Sequence, residues 1–120
     1  MRHELVTRKS FFELNDFLAE GVGNPIDIIR KVRSVLETHC KKNYPAHFDS
    51  ADTLGNICEK VRLAGNVHPL GSIYTTLDEL NEYTRPFHHG HNPQASLEDI
   101  DGTELSGAVR RTLVCVGLIH

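Results

Sequence analysis

Residues 83 to 91 read Tyr83-Thr84-Arg85-Pro86-Phe87-His88-His89-Gly90-His91. Three of the chain's eight histidines fall within four positions there, just downstream of an arginine. Imidazole is the side chain whose unperturbed proton affinity lies nearest neutral pH, so such a run is suited to proton transfer, metal ligation or phosphate recognition. Five residues separate Arg85 from His91. At that spacing a guanidinium can hold a phosphate while an imidazole moves a proton, the minimum for cleaving RNA through its own 2′-OH without a metal. His89 and His88 are the substitutes for His91 as general acid or base. The structural alternative has Arg85 neutralising the last carbonyls of a preceding helix, Phe87 packed inward and the histidines bonded to a neighbouring helix. A structural zinc at His88, His89 and His91 would need further thiolate, imidazole or carboxylate ligands. No Cys pair or His-Glu-x-x-His frame supplies them, and Asp99 or Asp101 would join only by chain reversal. No metal and no cofactor are therefore expected.

Basic residues form a second group. Arg30, Lys31 and Arg33 share a segment that reads as helix, and Arg110 stands near the end of the chain. Together they are the candidate nucleic-acid contacts, because a cationic helical face can follow a phosphate backbone. The plain alternative is a solvated face with an Arg33–Glu37 pair of a few tenths of a kcal/mol. Arg110-Arg111 interrupts a stretch that is otherwise apolar, so one of the two is expected to be partly buried against Glu37, Asp78 or Glu82. The formal charge of −3 argues against a surface that coats nucleic acid indiscriminately. Absence of Gly-x-x-x-x-Gly-Lys-Ser/Thr, Gly-x-Gly-x-x-Gly and Gly-x-Ser-x-Gly excludes a P-loop, a dinucleotide fingerprint and a nucleophile elbow within these residues.

These groups must be positioned by helices. The length of 120 residues suits one domain spanning residues 1–120, and 39% hydrophobic with 24% charged residues is globular rather than disordered composition. Ser10-Phe11-Phe12-Glu13 has capping-box form and predicts a short helix to about Ala19, with Phe11, Leu14, Phe17 and Leu18 on one face. Asn24-Pro25 opens the strongest helix, with Ile26, Ile29, Val32, Leu36 and Cys40 on one stripe and Arg30, Lys31, Arg33, Glu37 and Lys41 opposite. Tyr44-Pro45 stops it. A third helix is expected from about Ala51 to Ala64, capped by Gly65-Asn66, and a fourth from about Ser72 to Thr84, ended by Arg85-Pro86. A polar connector over about 86–101 precedes a second capping box, Asp101-Gly102-Thr103-Glu104. The fifth helix uses Leu105, Val109, Leu113 and Val116, and it is apolar nearly all round beyond Arg111, as a helix buried or paired with a partner would be. Nothing alternates as a strand does. Cys40, Cys58 and Cys115 sit at apolar-phased positions and read as reduced core thiols. With no apolar run near ~20 residues and no apolar region at the N-terminus, a cytoplasmic protein with no membrane contact is expected. The fold class predicted is all-α, an up-and-down four-helix bundle with a short extra N-terminal helix.

Arg33-Ser34-Val35-Leu36-Glu37, then Tyr44-Pro45, then the run from Leu80 to Gly90, and finally Thr103-Glu104-Leu105 with Arg110-Arg111-Thr112-Leu113, carry a resemblance. Over residues 24 to 113 the chain resembles the C-terminal helical region of bacterial AAA/ABC-type ATPases linked to DNA repair and phage defence, including those associated with anticodon nucleases. That region in turn resembles HEPN domains, helical bundles whose active members carry an Arg-x(4–6)-His motif and cut RNA without metal. The resemblance implies an accessory module that associates with an ATPase core or another partner protein and couples to nucleic-acid sensing. The alternative it implies is a homodimeric, metal-independent ribonuclease acting on RNA, with two copies of Arg85 and His91 facing each other.

Overall fold

Asn24 and Pro25 open the helix around which the others are arranged. In the computed structural model, which describes residues 2–90 and 100–119, with side-chain surroundings for residues 9–87 and 100–119, α2 runs Pro25–Asn43. The Asn24 side chain accepts hydrogen bonds from the backbone N–H groups of Ile26 and Asp27, at 2.9 and 3.3 Å. These satisfy donors that have no partner inside the first helical turn. Four further α-helices follow the expected order: α1 (Arg2–Glu20), α3 (Leu54–Ala64), α4 (Tyr74–Thr84) and α5 (Gly102–Leu118). Short 3-10 turns at Gly65–Val67, Gly71–Ile73 and Arg85–Gly90 complete the list, and no strand occurs among the described residues. The protein is all-α.

Helix α2 packs against α1, α3, α4 and α5, while α1 touches α5, α5 touches α4 and α4 touches α3. The other four thus form an arc around α2. A central helix needs an apolar face wider than one stripe. Accordingly Ile28 and Val35 join Ile29, Val32, Leu36 and Cys40 in the core, while the predicted Ile26 is only half-buried. Leu14 of α1, Leu54, Ile57 and Val61 of α3, Leu77 and Leu80 of α4, and Leu105, Ala108 and Val109 of α5 meet that face. Two loop residues, Phe48 and Leu70, complete the same core. The three cysteines are buried and free, as their phasing implied.

Several boundaries depart from expectation. The leading helix is not short: Ser10 lies inside α1, buried, with two turns of helix before it. Helix-favouring Glu4, Leu5, Arg8 and Lys9 carry the helix through, so the local Ser/Glu capping pattern goes unused. Helix α3 starts at Leu54, where Thr53 and Asn56 form a reciprocal capping box, rather than near Ala51. Before it, Lys41 donates to the carbonyls of Ser50 and Asp52 at 3.0 and 3.1 Å, which ties the loop to α2. Arg85-Pro86 ends α4 but not helical structure, because 3-10 geometry runs on to Gly90. Proline is tolerated in the first turn, where its missing N–H has no partner to lose. The connector expected over 86–101 is therefore turn-like in its first part, and its stretch 91–99 lies outside the described residues. No helix among the described residues is long and apolar enough to cross a membrane.

Candidate functional site

The end of α4 packs on α2 through polar groups, although both helices present an apolar face there. Arg33 falls on the α2 stripe, four residues after Ile29 and three before Leu36, and it is buried at 4% exposure. It does not lie on the solvated face opposite, where its cationic type had suggested it would. Its Nη1 donates to the Thr84 hydroxyl at 2.9 Å, the Asn81 side-chain oxygen at 3.0 Å and the Asn81 carbonyl at 3.2 Å. Thr84 in turn donates to the Leu80 carbonyl at 2.7 Å. The Asn81 carbonyl also accepts from the backbone N–H of Arg85. A cation thus sits at the negative end of α4, where the helix dipole favours it. Burial holds the Arg33 guanidinium below its ordinary proton affinity; Glu37 and Cys58 oppose that shift and Arg85 adds to it. Arg33 Nε is buried with no partner among the described residues.

Glu37 does not pair with Arg33 as an exposed i,i+4 partner. It accepts the backbone N–H of Leu54 at 2.7 Å, so a carboxylate of α2 caps the first turn of α3.

Around this buried network lie two exposed cations. Arg30 Nε donates to the Phe87 carbonyl at 3.2 Å, pinning the 3-10 turn Arg85–Gly90 to α2. Phe87 is partly buried against the core, as the structural alternative for this segment required. Arg85 itself departs from that alternative. Its side chain is 68% exposed, and its ion pair, at 3.5 Å, is to Glu82 one turn earlier on the same exposed edge. The carbonyl it was expected to neutralise is held by Arg33 instead. His88 and His89 follow in the 3-10 turn with side chains outside the described residues, and His91 lies outside them altogether.

The remaining predicted nucleic-acid contacts do not join one stripe. Lys31 is half-buried and paired with Glu13 of α1. Arg110 is exposed on α5. Arg111 is exposed too and bonds Glu79 of α4 at 2.9 Å, so neither member of that pair is buried and neither meets Glu37, Asp78 or Glu82 in the way expected. The exposed arginine finds its carboxylate across the α4–α5 seam. No cluster of three or more metal-ligating side chains occurs among the described residues.

Sequence reasoning missed Asn81 and took Thr84 only as the end of the fourth helix. A signal was present: Asn81 and Thr84 continue the helical spacing of Leu77 and Leu80, so two hydrogen-bonding side chains lay on the buried face and required a partner. Arg33, phased with Ile29 and Leu36, was that partner. Compared with protein-family models, curated proteins and solved structures, the chain matches none of them.

Proposed function

We propose that the chain is a HEPN-like helical module that senses RNA through the cationic corner at the end of α4 and associates with a larger partner, an ATPase core in the resemblance that motivates the reading. In this view α2–α5 form the HEPN-like four-helix unit and α1 is an addition to it. The observation that carries the reading is the division of labour between Arg33 and Arg85. Arg33 stabilises the helix end and is sealed inside, while Arg85 projects into solvent, paired among the described residues with the exposed carboxylate of Glu82. An exposed pair of that kind contributes about 0–1 kcal/mol, which a phosphate readily displaces. Arg30, pinned to the adjoining turn, offers a second guanidinium beside the same segment. The association half rests on Val114 and Leu118 of α5, exposed at 60% and 55%, on the helix whose composition called for a partner.

The test is fluorescence anisotropy with labelled single-stranded RNA at two salt concentrations. Arg85→Ala should weaken binding and lower the salt slope by roughly 0.7, the value for one phosphate contact on a single strand. Its thermal stability should equal that of the parent. RNA binding unchanged in Arg85→Ala, or no RNA binding at low salt, overturns the reading.

The exposure of Arg85 also favours the alternative of a dimeric metal-independent ribonuclease, in which Arg85 clamps the phosphate and His91 transfers the proton. Cleavage of RNA in excess chelator, abolished both by Arg85→Ala and by His91→Ala, would select it over simple sensing.

A further inference from the structure

The connection between α3 and α4 holds a second buried polar group that the RNA reading does not use. His68 is 7% exposed, between the 3-10 turns Gly65–Val67 and Gly71–Ile73. Its Nδ1 accepts the backbone N–H of Leu70 at 3.0 Å. The neutral ring therefore carries its proton on Nε2, which is buried with no partner among the described residues. On its flanks lie His47, at 4.7 Å between ring centroids, and Phe48, at 5.4 Å. Leu70, whose amide the ring holds, is a core residue at 1% exposure. The carbonyl of His68 accepts from Gly71 at 2.9 Å, and its own N–H bonds the Gly65 carbonyl at 3.1 Å. The imidazole thus adds a side-chain bond to the two that the backbone makes across the connection.

We propose that His68 is a pH-operated latch: its neutral ring holds the α3–α4 connection shut, and protonation releases it. The chemistry follows from the atoms. A second proton can go only to Nδ1, which would then point an N–H at the N–H of Leu70. Two donors would face each other, and a buried cation would be left with no acceptor. The charged groups nearby do not rescue it. His47, from the segment after α2, repels the imidazolium whenever it is itself protonated. The carboxylates of the flanking elements are committed elsewhere, Asp52 and Asp49 to Lys60 of α3, at 2.6 and 3.3 Å, and Glu59 to Arg62. The two 3-10 turns contribute Gly65, Asn66, Val67, Gly71, Ser72 and Ile73, none of them ionisable. Burial first, and His47 second, push the His68 proton affinity down from its ordinary value. The sign follows: a depressed folded pKa means the latch is at full strength above the unfolded value of about 6.5 and weakens as pH falls from there to the folded pKa.

The experiment is NMR on the 120-residue chain between pH 7.5 and 5, in a His39→Gln background. Among the described residues His39 is the other histidine whose proton affinity burial lowers, with Lys42 adding to the effect. Ring titrations are followed together with amide exchange at Leu70 and Gly71, corrected for the intrinsic pH dependence of exchange. The expected result is a His68 ring that titrates below the ordinary imidazole value of about 6.5. Protection at Leu70 and Gly71 should fall about tenfold per pH unit below about 6.5 until the folded pKa is reached. His68→Asn, whose side-chain oxygen can replace Nδ1 as acceptor but cannot take a proton, should flatten that dependence. A His68 that titrates at the ordinary imidazole value while Leu70 keeps its protection overturns the proposal, as does an unchanged pH dependence in His68→Asn. Should His68→Asn fail to fold, the parent titration decides alone. Neither readout involves RNA, so the latch and the RNA-sensing reading fail separately.

Discussion

A guanidinium taken out of water costs several kcal/mol unless its hydrogen bonds are replaced, and at Arg33 the two N–H groups of a single nitrogen are shared among three neutral oxygen acceptors. Its nearest carboxylate influence, Glu37, acts at a distance while capping α3. The network therefore depends on Asn81 and Thr84 more than on an ion pair. Asn81→Leu removes one acceptor and blocks the approach to the carbonyl, leaving a buried charge undersolvated. It should destabilise the fold by about 3 kcal/mol. Arg33→Met removes the charge together with its desolvation cost and should be milder, about 1–2 kcal/mol, from the unpaired Asn81 and Thr84 oxygens. The double variant should recover most of the Asn81→Leu loss, giving a coupling energy above about 1 kcal/mol in urea denaturation. Additive losses would mean that the two side chains are merely adjacent. At this scale the sequence displayed the residues but not their direction. Arg33 was phased with Ile29 and Leu36, yet a long cationic side chain at an apolar position is ordinarily read as solvated until the polar residues opposite it are seen.

Between helices, the tightest steric constraint lies in the same connection that His68 closes. A Cβ added to Gly71 would stand 2.9 Å from the Gly65 carbonyl oxygen and 3.4 Å from the Asn66 Cα. Both are backbone atoms, so no rotamer change relieves the contact. Gly65 itself has φ 67 in the C-cap of α3, and its N–H returns to the Val61 carbonyl, the glycine-favoured exit from a helix. Gly71→Ala should therefore cost about 1–3 kcal/mol by forcing the two 3-10 turns apart. Gly107→Ala, in the interior of α5 with open space around it, should stabilise by about 0.5–1 kcal/mol. Thermal melts of the pair would separate steric packing from glycine's general cost: shifts of opposite sign are expected, the larger one for Gly71→Ala, and two stabilised variants would refute the close approach. Helix existence and order were readable in advance because the 3.6-residue period and the Asn24-Pro25, Gly65 and Asp101 signals are local. The start of α1, the 3-10 continuation past Pro86 and the core roles of Phe48 and Leu70 were not. Each depends on tertiary packing that no window of sequence contains.

For the molecule as a whole, the three thiols report how much of the fold opens at once. Cys40 of α2, Cys58 of α3 and Cys115 of α5 lie in one core, and burial pushes the first two up to about 12 and raises the third. Around Cys40 the other two thiols add to the shift, and around Cys58 the charge of Asp78 does. The reactive species is the thiolate, so each thiol is protected both by exclusion and by its proton affinity. Because α2 touches every other helix, exposing Cys40 requires that the arc around it come apart. The expectation is that iodoacetamide at pH 8 labels Cys40 and Cys58 at one common rate, about a thousandfold or more below the rate in denaturant. Cys115 stands near the C-terminal end of α5 and borders the exposed Val114 and Leu118. If the last turn of α5 opens on its own, Cys115 should label faster than the other two while they remain protected. A partner seated on α5 would then slow Cys115 selectively, which turns one thiol into a direct assay for the association that the exposed face predicts. Labelling of Cys40 ahead of Cys115 would contradict the central position of α2 in the core.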